Sequence, residues 1–579
     1  MKRFIENYND EKFDLVVIGG GVTGAAVAYD AATRGLSVAL VEKNDFGGAT
    51  SAATSKMIHG GLRYLATLEF RLVRESLKER KTMENIAPNF VYPMPVMVTT
   101  NKLKIANTKW IIKIGMILYD ILSFDKGWTW DTGKRISLHK TLPKERVLEL
   151  EPLVKKEGLT GASVYSDCVS IFPERLTLAF IKSAVRNGAL VANYAEVEDF
   201  SFDNERRVAG VMVRDRLTGR KTAIRGNLTV NCGGPWADII LGIASNKSSA
   251  EQLRRSEGIH IITRRLVQHH IVGCMTAKGR HLFVIPWRNH SLIGTTDKEY
   301  IGKPDDYHVT AKSIGELLDE VNESFGDGTL SFEDILHTYG GLRPLVEDQT
   351  EDVYESSRKY EIHDNKADGL DGLITVEGGK YTTSRNLAEH VMRVIAKKMN
   401  RKLYGCVTDK QFLAGCEIPN MAKFLEMIID GNRDFSRKTM EYLGRNYGTE
   451  YERVLEIARS SKALAREVND DGEIMAEVVY AVRHELARTL NDVLFRRTGI
   501  GTLGHPGETL LKDVARVAGK ELRWGPSRIR EEIEKARTAF AIPAPGSEGS
   551  PSGVKSPNKK RAGQGKASKN RQRFHFGGD

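Results

Sequence analysis

The chain has 579 residues, of which 41% are hydrophobic, so it is long enough for two or three folded domains rather than one. Its formal net charge is +11, but residues 541–579 contain eight Lys/Arg against two Asp/Glu, and the rest is only mildly basic. No apolar run is long enough to cross a bilayer, the first residues show no secretory signal, and the five cysteines lack C-x-x-C spacing. These features argue against a membrane-spanning chain, a disulfide framework and a zinc site, and they predict a reducing, cytosolic location.

The first segment with a chemical signature predicts a strand, a glycine turn, a helix and a second strand. Residues 13–18 are mostly apolar and β-branched, as in a buried parallel strand, and a second such strand ends at Glu42. Gly19, Gly21 and Gly24 form the pattern G-x-G-x-x-G, which permits a tight turn, close approach to a pyrophosphate and close helix packing. The Glu42 carboxylate can accept hydrogen bonds from a ribose diol. This pattern predicts dinucleotide binding and leaves the choice between NAD and FAD to later residues.

The segment after the second strand is rich in small residues and then becomes basic. Small residues at 47–55 permit the backbone to pass close to a ligand, and Lys56, His59, Arg63 and Tyr64 follow at once. The pattern favours a loop that encloses the cofactor, with an anion site behind it. An ordinary loop before a solvated basic helix is the alternative.

Residues 91–122 combine a proline-containing strand with an amphipathic helix. The prolines within 91–100 predict an edge strand, because proline cannot donate to a β-ladder. Residues 102–122 then place four lysines beside a long apolar run, which is typical of a helix lying in a membrane interface. A buried helix with snorkelling lysines is the alternative. The lysines are Lys102, Lys104, Lys109 and Lys113.

The middle of the chain predicts mainly strands. A Thr-Gly turn at 218–219 indicates a β-hairpin, and the segment 227–240 predicts a buried strand that breaks into a glycine turn and a helix, so the chain returns there to the dinucleotide-binding domain. Residues 258–300 predict further strands of a second, substrate-facing sheet.

The last third begins with a strand, a double glycine and a helix that opens at Thr382 and Thr383. Such a helix N-terminus can hold an electronegative cofactor edge. From about residue 410 to 540 the pattern is helical and charged, which predicts a C-terminal helical domain. Residues 541–579 are rich in Pro, Gly, Ser and Lys and predict disorder, because they cannot bury enough apolar area to offset the entropy of ordering.

Taken together, several of these motifs resemble the FAD-dependent glycerol-3-phosphate dehydrogenases. The motifs are Glu42, SKMIHGGLRYL, NCGGPWAD, EGIH, GLRPL and GGKYTTSRNLAE, and the resemblance covers roughly residues 12–530. It implies an α/β fold in which a glutathione-reductase-type FAD-binding Rossmann domain carries a substrate domain like that of D-amino-acid oxidase and a helical C-terminal cap. The implied boundaries are 12–405 for these two interleaved domains, with the substrate sheet mainly in 91–225 and 258–340, then 406–540 for the cap and 541–579 for a disordered basic tail.

One stretch departs from the family pattern. Relatives often have paired aspartates where this chain has IFPERL at 171–176, and the change touches no implied pocket residue.

The resemblance implies oxidation of sn-glycerol 3-phosphate to dihydroxyacetone phosphate, with hydride transfer to FAD N5 and electrons passed to a membrane quinone. The implied partners are the substrate, the quinone and an anionic membrane surface, without nucleic acid, and a homodimer is compatible with it. The implied location is cytoplasmic, peripheral on the inner face of the cell membrane.

The resemblance also assigns roles to residues, and no metal is implied. The catalytic residues are His260 and Arg343, and the substrate-binding residues are Arg63, Tyr64, Arg358 and Lys380. The FAD-binding residues are Gly19, Gly21, Gly24, Glu42, Thr50, Ser51, Ser55, Gly233, Gly379, Thr382 and Thr383.

These residue types suit the chemistry. Alcohol oxidation needs a base near the hydroxyl and a cation for the developing alkoxide, here His260 and Arg343, whose roles could be exchanged or shared. A phosphate monoester needs cations that bind it bidentately, here Arg63, Arg358 and Lys380. Without the accompanying motifs, a lone histidine in GIHII would be more typical of a core.

Three other functions stay open at this point. A glycerol-3-phosphate oxidase would pass the electrons to oxygen, and the sequence does not distinguish it. An amino-acid or amine oxidase of the same superfamily would need cations to bind one carboxylate, and it would not need a cluster of cations for a phosphate. A flavin-binding regulatory protein without turnover would be signalled by loss of pocket residues, and here all six are present.

Overall fold

The computed structural model describes residues 1–102, 108–245, 253–276, 280–326, 328–345 and 360–545. Its strands form two sheets, and helices cover the first sheet and make up the C-terminal part. The strands are β1 (Lys12–Ile18), β2 (Val38–Val41), β3 (Met57–Ile58), β4 (Tyr92–Asn101), β5 (Lys140–Pro143), β6 (Leu159–Val169), β7 (Leu190–Ala192), β8 (Ala195–Phe202), β9 (Val208–Asp215), β10 (Lys221–Asn231), β11 (Arg254–Thr263), β12 (Ile271–Met275), β13 (His281–Trp287), β14 (His290–Gly294), β15 (Lys298–Tyr300), β16 (Ile335–Leu345), β17 (Tyr360–Asp364) and β18 (Leu373–Gly378). The α-helices are α1 (Val22–Thr33), α2 (Phe70–Ile86), α3 (Lys109–Leu122), α4 (Lys144–Leu150), α5 (Pro173–Arg186), α6 (Ala237–Ser245), α7 (Ala311–Phe325), α8 (Ser384–Lys398), α9 (Met421–Gly431), α10 (Arg437–Tyr447), α11 (Tyr451–Arg459), α12 (Lys462–Ala465), α13 (Ala476–Glu485), α14 (Leu490–Asp492), α15 (Glu508–Leu522) and α16 (Pro526–Phe540).

The first sheet is built around β1. Its order is β17-β18-β10-β1-β2-β7, and the strands from β18 to β7 run parallel. One face of the sheet is covered by α1, whose alanines are buried against α5 and α8, since small residues let this helix lie close to its neighbours. The predicted strand, glycine turn, helix and second strand are confirmed, and β10 lies beside β1 as expected from the segment 227–240.

The hairpin β8–β9 also belongs to the first sheet. Strand β10 is long enough to pair with β9 through Lys221–Arg225 and with β1 through Arg225–Asn231. The predicted hairpin at the Thr-Gly turn is therefore present between β9 and β10. The sequence placed 91–225 mainly in the substrate sheet, whereas the strands from β7 onward in that range join the cofactor sheet.

The second sheet has the order β15-β11-β14-β13-β12-β4-β6-β3, with β16 added beside β11 and β5 beside β6. The expectation that residues 91–100 form an edge strand is wrong, because β4 lies between β6 and β12. The prolines are tolerated since β12 pairs with Val96–Val98 alone, beyond Pro93 and Pro95.

The C-terminal helices α9–α16 form the predicted helical domain; helices α13–α16 share an apolar core, whereas α9–α11 pack in one apolar cluster with residues of the second sheet. Ion pairs tie it to the rest of the chain: Arg175 donates to both carboxylate oxygens of the buried Glu485 at 3.0 and 3.1 Å, and Arg288 Nε donates to the partly buried Asp471 Oδ2 at 2.6 Å. Residues 546–579, most of the predicted tail, lie outside the described residues.

Helix α3 is amphipathic, and much of its apolar side faces outward. The side chains of Trp110, Ile114 and Ile121 are 73%, 65% and 62% exposed. Phe124 and Trp128, just beyond the helix, extend this surface. Nowhere in the described ranges is there a helix long and apolar enough to cross a membrane.

Candidate active site

A cavity of about 980 Å³ lies between the carboxyl ends of the first sheet and the second sheet. It brings together most of the predicted site residues, namely Gly19, Gly21, Glu42, Thr50, Ser51, Ser55, Arg63, Tyr64, Gly233, His260, Arg343, Gly379, Lys380 and Thr382. Gly24 and Thr383 are not among the lining residues, and Arg358 lies outside the described residues.

The three glycines of the turn have different reasons to be glycine. A Cβ on Gly19 would lie 2.5 Å from the Cys232 carbonyl oxygen, and one on Gly24 would lie 1.9 Å from the Gly19 carbonyl oxygen. Within 4 Å, a Cβ on Gly21 would meet, among the described residues, Ser51 Oγ alone, at 3.3 Å. Gly19 and Gly24 are therefore fixed by close packing, whereas Gly21 leaves space for a ligand in the cavity.

The Glu42 carboxylate stands at the end of β2 and holds the glycine turn. It accepts hydrogen bonds from the backbone N–H groups of Gly20 and Asn44, both at 2.7 Å. Burial raises its pKa, and the two N–H donors oppose that rise.

The loop from residue 47 to 55 connects the two sheets. Ser51 Oγ accepts from the Val22 N–H at 2.9 Å, at the start of α1, and Thr50 Oγ1 donates to the Leu342 carbonyl at 2.6 Å, on β16. The loop thus encloses the cavity between the glycine turn and the second sheet, as its small residues predict.

His260, on β11, is fully buried beside this loop. Its Nε2 lies 2.9 Å from Ser55 Oγ, and its ring stacks on Tyr339 with centroids 4.9 Å apart. Burial, with the cations Arg343 and Lys56, lowers its pKa well below the usual value. The imidazole is therefore neutral at neutral pH.

Glycines make room for the two catalytic candidates. A Cβ on Gly294, the β14 partner of His260, would lie 2.5 Å from His260 Cδ2, and one on Gly258 would lie 2.0 Å from an Arg343 guanidinium nitrogen. The guanidinium of Arg343 donates to Thr295 Oγ1 at 2.7 Å and lies 3.4 Å from Asp297 Oδ1. Gly258 of the EGIH motif is therefore a glycine because the Arg343 guanidinium occupies the space that a side chain would need.

The remaining cations form a second group in the cavity. The Arg63 guanidinium and the Lys380 ammonium lie over the Tyr64 ring, 4.8 and 4.7 Å from its centroid. Burial and the nearby Arg63 lower the pKa of His281 to about 4; burial, Lys380 and Arg63 do the same for His59, although Asp167 opposes the change. This end of the cavity is therefore suited to an anion.

One of the basic residues expected at the anion site does not line the cavity, and the sequence did not reveal one residue that does. Lys56 is not a lining residue: its ammonium donates to Glu174 Oε1 at 2.6 Å and lies over the Tyr339 and Trp287 rings. His281 does line the cavity. It lies two residues before Phe283 on β13, and Phe283 also lines the cavity; residues two apart on a strand share a face, which is the pattern that could have identified His281.

Comparison with known proteins gives matches along most of the chain. A family model described as FAD dependent oxidoreductase matches residues 14–385, and one described as the C-terminal domain of alpha-glycerophosphate oxidase matches residues 406–529. A glycerol-3-phosphate dehydrogenase of Synechocystis sp. is 32% identical over 549 residues, which cover 92% of this chain and 97% of that protein. An aerobic glycerol-3-phosphate dehydrogenase of Staphylococcus aureus is 32% identical over 92% of this chain and 95% of that protein. The structure of the glycerol-3-phosphate dehydrogenase from Bacillus halodurans, complexed with FAD, matches with a TM-score of 0.74 and 26% identity over 92% of this chain and 95% of that one.

Proposed function

This chain belongs to the family of FAD-dependent glycerol-3-phosphate dehydrogenases, and we propose that it oxidises sn-glycerol 3-phosphate to dihydroxyacetone phosphate and passes the electrons to a membrane quinone. FAD is its cofactor. The observation that carries the proposal is a single cavity in which the glycine turn, the His260–Arg343 pair and the Arg63–Lys380 cations meet. An alcohol that carries a phosphate uses all three features.

The residues present fit FAD. Gly21 leaves open space beside the N-terminus of α1, where partial positive charge favours a pyrophosphate, and the Glu42 carboxylate can accept from a ribose diol. Thr50 and Ser51 would hold the cofactor from the loop. Bound FAD accepts the hydride that leaves the substrate carbon.

His260 is the proposed base for the substrate hydroxyl. Among the atoms of the described residues, its buried Nδ1 has no hydrogen-bond partner, whereas its Nε2 lies beside Ser55 Oγ. Arg343 stays protonated and stabilises the developing alkoxide, and Thr295 and Asp297 hold its guanidinium in place.

The lowered pKa of His260 gives a pH prediction. A histidine with an ordinary pKa would lose its base form as the pH falls through about 6.5, whereas a lowered pKa keeps the neutral imidazole available below that value. We expect the rate of anaerobic flavin reduction at saturating glycerol 3-phosphate to stay level from pH 8 to below 6.5 and to fall only at more acidic pH. Stopped-flow absorbance measures it, and a midpoint at or above 6.5 would contradict the assignment.

Arg63 and Lys380 are the proposed phosphate ligands, together with Arg358 from outside the described residues. Two cations over one tyrosine ring can bind the two negative charges of a phosphate monoester. Burial lowers the pKa of Lys380, and a bound phosphate would oppose that effect.

The direct test uses purified protein under anaerobic conditions. Glycerol 3-phosphate is expected to bleach the visible absorption band of the flavin, and glycerol at the same concentration is not. Bleaching by an amino acid but not by glycerol 3-phosphate would instead support the amine-oxidase alternative.

A quinone acceptor is supported by the position of α3. The cavity reaches this helix, where Ile111, Ile114 and Leu118 line it, and the same helix presents apolar side chains outward. A lipid-soluble acceptor could therefore approach the flavin from a membrane surface. Reoxidation of the reduced enzyme by a short-chain quinone should outpace reoxidation by dissolved oxygen, and the reverse order would favour an oxidase.

The proposed location of the protein is the cytoplasmic face of the cell membrane, to which it attaches without spanning the bilayer. Each lysine near an anionic surface contributes about 1 kcal/mol, which salt screens, whereas burial of Trp110 and Ile114 in the interface is not screened. We expect binding to anionic liposomes to weaken with salt without vanishing. Replacing Lys102, Lys104, Lys109 and Lys113 by Gln should weaken it further in a sedimentation assay; Lys104 lies outside the described residues.

The basic end of the chain is a competing source of the same attraction. The lysine replacements are therefore compared with the unaltered lysines in a protein shortened after residue 545. If that protein no longer sediments with anionic vesicles, the removed segment is the anchor and α3 has a different partner.

A further inference from the structure

Asp45 is a buried carboxylate in the wall of the cofactor cavity, three residues beyond Glu42. Four hydrogen bonds reach it: Arg497 donates to its two oxygens at 2.7 and 2.8 Å, Arg496 Nε donates at 2.6 Å, and Asn193 Nδ2 donates at 3.0 Å. Two of these donor residues belong to the C-terminal domain, about 450 positions further along the chain.

Both arginines lie in one irregular helical turn. Residues Val493–Arg497 form a π-helical turn, and Thr498 closes it by donating from its N–H to the Val493 carbonyl at 3.0 Å. Arg497 is 1% exposed and its Nε also donates to the Glu485 carbonyl at 2.9 Å, while Arg175 donates to the Arg497 carbonyl at 2.6 Å. Hydrogen bonds therefore hold both the guanidinium and the backbone of Arg497.

The segment that Asp45 anchors packs directly on the glycine turn. The Gly47 N–H donates to the Gly20 carbonyl at 2.9 Å, and the Gly48 N–H donates to the Asp45 carbonyl at 3.1 Å. The Phe46 side chain lies against Gly20, where a Cβ would be 2.6 Å from its ring. A shift at Asp45 would therefore move the backbone that encloses FAD.

We propose that Arg496 and Arg497 are positioning residues of the FAD site: by holding Asp45, they keep the 45–51 loop closed over the glycine turn and slow the release of the cofactor. The C-terminal domain thereby takes part in retaining FAD, although neither arginine is among the residues that line the cavity.

The charge of Asp45 also favours this role for the arginines. Asp45 lines a cavity that must accept the negative pyrophosphate of FAD, so an unpaired carboxylate there would repel it. Arg496 also pairs with Asp492, whereas Arg497 makes the bidentate contact with Asp45, so Arg497 neutralises most of this charge.

The experiment measures FAD release from the holoenzyme, followed by the recovery of free flavin fluorescence after dilution, with tryptophan fluorescence as the measure of unfolding. Arg497→Gln is expected to speed FAD release by about 10- to 100-fold, because it removes the bidentate partner of a buried carboxylate. Arg496→Gln, which keeps the bidentate pair, is expected to have a smaller effect of the same sign. With FAD saturating, kcat should change by less than about twofold.

The matched control is Arg483→Gln, which breaks an exposed bidentate pair with Glu521 in the same domain, and its FAD release should equal that of the unaltered protein. Asp45→Asn combined with Arg497→Gln should release FAD no faster than Arg497→Gln alone, since the repelling charge is gone. If FAD leaves the arginine variants only as fast as tryptophan fluorescence reports unfolding, or at the unaltered rate, the proposal is wrong. If Arg497→Gln does not fold, Arg496→Gln decides by the same criteria.

Discussion

Replacing His260 by alanine is expected to slow the anaerobic reduction of bound FAD by glycerol 3-phosphate by about 10²- to 10⁴-fold, the range that a general base contributes. FAD should stay bound, because His260 belongs to β11 of the second sheet and not to the glycine turn. The loss follows from the absence of a neutral acceptor beside Ser55, where the imidazole now stands at 2.9 Å. Stopped-flow absorbance at the flavin band gives the rate.

Two further variants make this result specific. His260→Gln keeps a polar side chain over Tyr339 but offers no comparable base, so it should be nearly as slow as the alanine variant. His308→Ala removes an exposed histidine and should leave the rate unchanged. If the alanine variant reduces its flavin at the unaltered rate while thermal unfolding shows a folded protein, the hydroxyl proton goes to another group.

Replacing Arg63 by alanine is expected to raise the KM for glycerol 3-phosphate tens-fold or more. Loss of one charged partner of a buried phosphate costs about 2–5 kcal/mol, and each 1.4 kcal/mol corresponds to about tenfold in binding. Activity on unphosphorylated glycerol, where any is measurable, should barely change, because the proposed role of Arg63 and Lys380 is to bind the phosphate and not the hydroxyl that reacts. Steady-state kinetics with both substrates measure the difference.

The control for Arg63 is Arg437→Ala, which removes an exposed arginine of α10. It should leave both KM values unchanged. An unaltered KM for the phosphate ester in Arg63→Ala would remove that residue from the site and leave the phosphate to Lys380 and Arg358.

Local patterns predicted the part of the fold that local geometry determines. The strand, glycine turn, helix and acidic strand end lie within one short segment, so the spacing of Gly19, Gly21, Gly24 and Glu42 was enough. The position of β4 inside the second sheet was not predictable from its prolines, because its partners β6 and β12 are distant in sequence.

The candidate site also depends on contacts between residues that are distant in sequence, which local patterns did not predict. Arg63 and Lys380 lie over the same tyrosine ring although they are more than 300 positions apart. Sequence spacing therefore could not predict that they come together. His260 alone in GIHII is typical of a core, so its proposed role rests on the resemblance, and its neutral state follows from burial and nearby cations. Lys56 was misassigned because a basic residue next to a ligand loop gives no sign of its buried partner Glu174.

The interleaved order of the cofactor sheet also has a consequence for biosynthesis. Strand β1 lies between β2 and β10, and β18 beside β10 is made about 350 residues after β1. At about 5–20 residues per second, roughly 20 to 70 s of translation separate the two ends of this sheet. During that interval strand β10 lacks its partner β18, and the residues at 378–382 that line the cavity are not yet made, so the FAD site is complete only after synthesis has passed β18.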